Sequence, residues 1–149
     1  MCKYAILLAA ALSLGFAPVP FPKPPKPDAN GADTKTLQGN WLKVHSIPPG
    51  NGEGEGALVF TGQHMRYSLN GNMVGEYEFT VDARKKPKVF DFKGTGGAVV
   101  GVSYRGIYRL EKDTLTISYV MTSNERERPG DFDGTKDGVI VSVYSRQKP

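Results

Sequence analysis

Between Val100 and Leu110 the chain repeats every second residue: Val100, Val102, Tyr104, Gly106, Tyr108 and Leu110 on one parity, with Ser103, Arg105 and Arg109 between them. A period of two carried by β-branched and aromatic residues is the pattern of a strand with one buried and one wet face, not of an amphipathic helix. After the polar turn Glu111–Thr114 the apolar face resumes at Leu115, Ile117, Tyr119 and Met121. Pairing Leu110 with Leu115 sets Tyr108 opposite Ile117, Gly106 opposite Tyr119 and Tyr104 opposite Met121, so that inward residues meet inward residues along the whole hairpin. Gly106 leaves space that the ring of Tyr119 covers.

The same pattern recurs on both sides of this hairpin. Met65, Tyr67 and Leu69 share a face, as do Tyr77, Phe79 and Val81, with Glu76 and Glu78 turned to water. Between these two segments, Asn70-Gly71-Asn72 is read as a three-residue loop pairing Leu69 with Met73, Tyr67 with Gly75 and Met65 with Tyr77, with positive φ at Gly71 or Asn72. Phe90 and Phe92 define a short strand that ends at Lys93, and Gly94 to Gly97 is read as the turn that follows. The segment Leu37–Ser46 alternates poorly, because Trp41 shares parity with Lys43 and His45 while Leu42 and Val44 oppose it. A bulge near Leu42 is expected to reconcile the two sets.

Eight strands follow, near 40–46, 57–60, 63–69, 73–81, 88–93, 99–110, 115–121 and 138–146. Their connections are short except for a charged, glycine-containing loop over 123–137, so neighbours are antiparallel. An eight-stranded meander removes its exposed edges by closing. The fold class is all-β, an eight-stranded antiparallel up-and-down barrel over residues 37–149.

The N-terminal part reads differently. Residues 1–17 carry one lysine and then a short apolar run, too short to span a membrane and shaped like a secretory signal, with Gly15 and Ala17 as small residues for cleavage. Retention as an uncleaved anchor is the alternative. Cys2 precedes the run, so the lipoprotein arrangement is not met. Five prolines fall within Pro18–Lys26, which marks 18–36 as an extended, disordered linker, with Asp33 as cap of a short helical turn leading into the fold. The expected address is secreted or periplasmic, with no membrane span in the mature chain.

Charge and composition narrow the function classes. Lys and Arg exceed Asp and Glu by 19 to 15 over the chain, but from Leu37 onward the counts are 15 and 13, too even for a nucleic-acid-binding face. The chain is read as a monomer. Cys2 is its only cysteine, which excludes an internal disulfide and a cysteine-based metal site. His45 and His64 lack metal-ligand spacing with a carboxylate. The glycine-rich loop around Gly50–Gly56 precedes a strand rather than a helix and carries Glu53 and Glu55, so it does not read as a phosphate cradle. Gly101-Val102-Ser103 begins like a nucleophile elbow but continues Tyr104-Arg105-Gly106, which breaks that motif. Asp131, Asp133 and Asp137 offer clustered oxygens for calcium, with spacing that departs from an EF-hand, and are read as a solvated loop. No catalytic residue, cofactor or metal is expected.

Gly39-Asn40-Trp41 at the start of the first strand and Arg146 at the end of the last resemble the G-x-W and arginine pair of lipocalin-type barrels. Closure would lay the guanidinium over the indole, a contact worth about 0.5–2 kcal/mol. The series LQGNW, LVFTG, Lys85-Lys86-Pro87-Lys88, Gly106-Ile107-Tyr108-Arg109-Leu110, Asp113-Thr114-Leu115 and Arg128-Pro129 is similar to a lipocalin-like domain family found in many paralogous copies in planctomycete bacteria. The likeness covers about Leu37 to Arg146, and departs from the family at the glycine-rich first loop and the acidic Asp131-Phe132-Asp133. It implies the barrel and an exported address, Trp41 and Arg146 as a structural pair, and no catalytic residue.

The parity of the strands points Met65, Tyr67, Tyr77, Phe79, Phe90, Phe92, Tyr104, Tyr108 and Tyr119 into the barrel. An eight-stranded interior is either filled by side chains or holds one small ligand. So many rings favour a mostly filled one, yet the buried tyrosine hydroxyls among them need partners. A small, partly polar ligand near the mouth satisfies both, and these nine residues are its expected lining. A side-chain-filled barrel serving as a structural or protein-interaction domain is the alternative.

Overall fold

The computed structural model describes residues 29–50, 54–122 and 126–148. The signal-sequence reading of 1–17 and the proline run lie outside these residues. The chain forms one helix, α1 (Ala29–Leu37), and eight strands: β1 (Gly39–Ile47), β2 (Gly56–Thr61), β3 (His64–Leu69), β4 (Asn72–Asp82), β5 (Lys88–Gly97), β6 (Ser103–Glu111), β7 (Thr114–Met121) and β8 (Ile140–Arg146). Each strand pairs antiparallel with the next, and β8 pairs back onto β1 to close an eight-stranded up-and-down barrel of lipocalin-like form.

The β6–β7 register is the one that the inward residues require: Leu110 faces Leu115, Tyr108 faces Ile117, Gly106 faces Tyr119 and Tyr104 faces Met121. A Cβ on Gly106 would stand 3.0 Å from that of Tyr119 and 2.5 Å from the Ser118 carbonyl, so the close strand approach needs glycine there.

Several segments differ from the sequence-based expectation, each for a local physical reason. The short helical turn expected from Asp33 into the fold is part of a longer helix, Ala29–Leu37, which begins within the stretch read as disordered linker. Asp33 does not cap it; its carboxylate instead accepts from Tyr108 Oη and from Lys88 Nζ, each at 2.6 Å. The bulge expected near Leu42 falls between Lys43 and His45. Leu42 and Val44 consequently stay exposed, at 45% and 61%. Asn70-Gly71 makes a two-residue turn, with φ of 50° and 78°, matching the right-handed twist of its strands. A register shift beside Tyr67 then restores the Tyr67–Gly75 and Met65–Tyr77 pairs, while Met73 faces Ser68 instead of Leu69.

The expected turn at Gly94–Gly97 is strand, and the chain turns later, over residues 98–101. Glycines make this possible. A Cβ on Gly94 would collide with the Val99 carbonyl, and one on Gly75 would stand 2.4 Å from the Val99 side chain. Without them the turn folds down over β4 and β5. Val99 packs on the core and Val100, expected inside, is 64% exposed.

The core divides into two halves. Near α1 the rings of Phe60, Phe79, Phe90 and Tyr108 pack edge-on or stacked, with centroids 5.1–6.3 Å apart. Leu37 and Trp41 complete this floor and are fully buried. Trp41 Nε1 donates to the Leu37 carbonyl at 2.8 Å. The Arg146 guanidinium covers the Trp41 indole at 4.1 Å and donates to the Gln38 and Thr36 carbonyls. Outside the barrel, residues 126–139 pack as a strap. Arg128 forks onto Asp91 at 2.5 and 2.9 Å and onto the Gly106 carbonyl at 2.6 Å, and Val139 joins Val120, Val141 and Ile47 in a small outer core.

Candidate functional site

At the end of the barrel away from α1 the inward side chains leave a cavity of about 190 Å³. Its apolar wall includes Leu58, Met65, Phe90, Phe92 and Ile117; its polar groups are Lys43, Tyr67, Tyr77, Tyr119, Ser142 and Tyr144. The strands aim these residues by parity. Trp41 and Lys43 lie on the inward side of β1 before the bulge, facing Arg146 and Tyr144 across the closing seam. Ser142 and Tyr144 occupy alternate inward positions of β8, opposite Ile117 and Leu115.

Six of the nine residues expected to line the interior line this cavity: Met65, Tyr67, Tyr77, Phe90, Phe92 and Tyr119. Phe79 and Tyr108 are inward but belong to the filled half near α1. Tyr104 backs the cavity without lining it; its ring stacks on Phe92 at 4.5 Å and meets Tyr119 edge-on at 5.8 Å. Sequence reasoning missed Lys43, Leu58, Ile140, Ser142 and Tyr144, and did not single out Ile117 as lining. A signal for three of them was present. Arg146 must share parity with its partner Trp41 across the seam, which turns Tyr144 and Ser142 inward on β8 and Lys43 inward on β1.

Hydroxyl chemistry dominates the polar wall. Ser142 lies beside both Tyr119 and Tyr144 and moderates the rise that burial imposes on each phenol. Burial holds the Tyr77 hydroxyl well above its ordinary range, with the electrostatics of Tyr104, Tyr119 and Tyr67 adding to it. Burial likewise raises Tyr104 and Tyr144. Tyr119 is pushed up to about 12, mainly by burial and against the opposing effect of the neighbouring Ser142. These phenols therefore remain neutral, able both to donate and to accept, across the physiological range.

Among the described residues of the lining, Lys43 brings a formal charge. Its Nζ donates to Tyr67 Oη at 3.4 Å. Both groups occupy space that Gly56 leaves free: a Cβ there would stand 2.9 Å from Lys43 Cε and 2.9 Å from Tyr67 Oη. The last glycine of the first loop thus serves the cavity wall.

No protein-family model, curated protein or solved structure matches this chain. The chemistry of the site is accordingly argued from its own geometry. Among the described residues no group of three or more His, Cys, Asp or Glu side chains is placed to hold a metal ion. In the acidic loop, Asp133 accepts from Thr135 N and Oγ1, Asp131 lies 3.6 Å from Lys136, and Asp137 pairs with Arg126 at 2.9 Å. His45 and His64 are exposed, His64 opposite Glu78 and His45 opposite Val143. Ser103 begins β6 opposite Lys93. Among the described residues, no helix is long and apolar enough to cross a membrane.

Proposed function

We propose that this is an exported, lipocalin-like binding module, monomeric and without catalytic activity, that carries one small, partly polar molecule in the upper half of its barrel. The observation that carries this reading is the cavity itself, about 190 Å³ and walled by hydroxyls, aromatic rings and aliphatic groups. An engineered cavity of about 150 Å³ accommodates benzene, so the volume suits a ligand slightly larger than one aromatic ring. The filled half beneath it supplies rigidity: stacked rings, a capped indole and a helix hold the walls in place. A wholly filled interior is disfavoured by that same cavity. Export is inferred from the basic residue and apolar run at the N-terminus, and membership of the planctomycete lipocalin-like family rests on the motif series alone. Native mass spectrometry of the protein, purified without denaturation, tests the reading. A co-purifying organic compound of about benzene size, released on unfolding, is the expected result. An unliganded mass that stays unchanged after incubation with a library of small organic molecules would contradict it.

A further inference from the structure

We propose that the α1 end of the barrel is a docking face for an anionic lipid bilayer, holding the barrel with its cavity mouth turned away from the membrane. The near-even charge of the barrel hides a division between its two ends. The helix, the turns β2–β3, β4–β5 and β6–β7, and the end of β8 lie together at one end. Over residues 29–37, 82–88, 109–113 and 146–148 this end carries nine basic and four acidic side chains, whereas the other described residues carry seven and eight. Each of the four acids is engaged by a basic neighbour: Asp33 by Lys88 at 2.6 Å, Asp82 by Arg84 at 2.9 Å, Glu111 by Arg109 at 3.4 Å and Asp113 by Arg146 at 3.6 Å. The surplus is lysine. Lys35 stands on α1, Lys85 and Lys86 in the β4–β5 turn, Lys112 in the β6–β7 turn and Lys148 after β8, all of them exposed.

Two observations point to what covers this face. First, the surplus charges are lysines, while the arginines of this end are engaged with carboxylates. An ammonium is a hydrated point charge without the planar fork that grips a single phosphate, so five of them spread over one end suit a diffuse anionic surface. Second, the chain that precedes the described residues joins the barrel here. Asn30, at the start of α1, accepts from Ala83 N at 2.9 Å, beside residues 84–86. Residues 1–28 add Lys3, Lys23 and Lys26 against Asp28, together with the apolar run of residues 1–17. A membrane contact made by that stretch brings the lysine-bearing end to the bilayer. This face lies opposite the cavity mouth, so its role does not depend on what the cavity binds.

Sedimentation of the full chain with vesicles of phosphatidylcholine, alone or mixed with phosphatidylglycerol, tests the docking face. The apolar run enters either kind, so the ratio of the two affinities isolates the charge. Binding about 100-fold tighter to the mixed vesicles is expected, an advantage that shrinks at high salt. The triple variant Lys85→Gln, Lys86→Gln, Lys112→Gln is expected to lose most of that advantage. Lys93→Gln, Arg105→Gln, Lys136→Gln removes as much charge from the rest of the barrel and is expected to keep it. Unchanged Trp41 fluorescence confirms that both variants fold. Equal binding to the two kinds of vesicle, or the same loss in both variants, would overturn the proposal. So would a DNA duplex that displaces the protein from the mixed vesicles at matched phosphate concentration, since the face would then be a general polyanion site.

Discussion

At the scale of single residues, two side chains on the barrel seam decide most. Arg146 lies over Trp41 and donates to the Gln38 and Thr36 carbonyls, so one guanidinium caps the indole and satisfies the last carbonyls of α1 and the residue after it. Its planar fork is what allows both at once. Arg146→Ala is expected to lower unfolding free energy by about 2–4 kcal/mol, combining a cation–π contact with charge-assisted bonds. Urea unfolding followed by the fluorescence of Trp41, the only tryptophan, measures it, and Arg146→Lys should recover only part of the loss. An unchanged midpoint would show the contact to be incidental. The pairing of Trp41 with Arg146 was legible because closure of eight antiparallel strands brings the two ends of the meander together. Lys43 was not. Its shared parity with Trp41 looked like a fault in the pattern, because sequence alternation assumes that an inward position is apolar. A polar cavity wall breaks that assumption, and the break was itself the signal.

At the scale of elements, the hairpin β6–β7 was readable to the residue because it carries unbroken alternation and a tight turn. In β1 the broken parity announced a bulge without fixing its position, whereas the irregularities near Tyr67 and Tyr77 left no mark in the hydrophobic pattern, so β4 and β5 were less readable. The loop after β7 was read as solvated from its charges. Its charges are in fact the fastening, with Arg128 forked onto Asp91 and Val139 pressed into the outer core. α1 hides for the opposite reason. Its apolar contribution is little more than Leu37, and it is held by polar contacts made to residues distant in sequence. Asp33 is central to these, taking both Tyr108 Oη and Lys88 Nζ. Asp33→Ala strands the hydroxyl of a tyrosine that is 1% exposed, and is expected to cost about 2–3 kcal/mol. Adding Tyr108→Phe should restore part of that, since removing both partners is cheaper than orphaning one. Thermal unfolding of the two single variants and the double variant gives the coupling; strict additivity would contradict the account.

At the scale of the whole molecule, the barrel is two structures in series. The half under α1 is a solid aromatic floor closed by Trp41, Arg146 and the helix; the half under the turn at 98–101 is walled by hydroxyls, one ammonium and aliphatic side chains around open space. The division follows from sequence. Phe60, Phe79 and Phe90 cluster with Tyr108 where the strands approach α1, and Tyr67, Tyr77 and Tyr119 stand with Phe92 toward the opposite end. The sharpest test of this division is methyl NMR on protein labelled at methionine and isoleucine, titrated with benzyl alcohol. Met65, Ile117 and Ile140 line the cavity, whereas Ile47 packs in the outer core, Ile107 is buried outside the cavity lining and Met73 is exposed. Saturable shifts confined to Met65, Ile117 and Ile140 are the expected result. Shifts spread equally over these six residues, or none at any concentration, would contradict a ligand site in the upper half of the barrel.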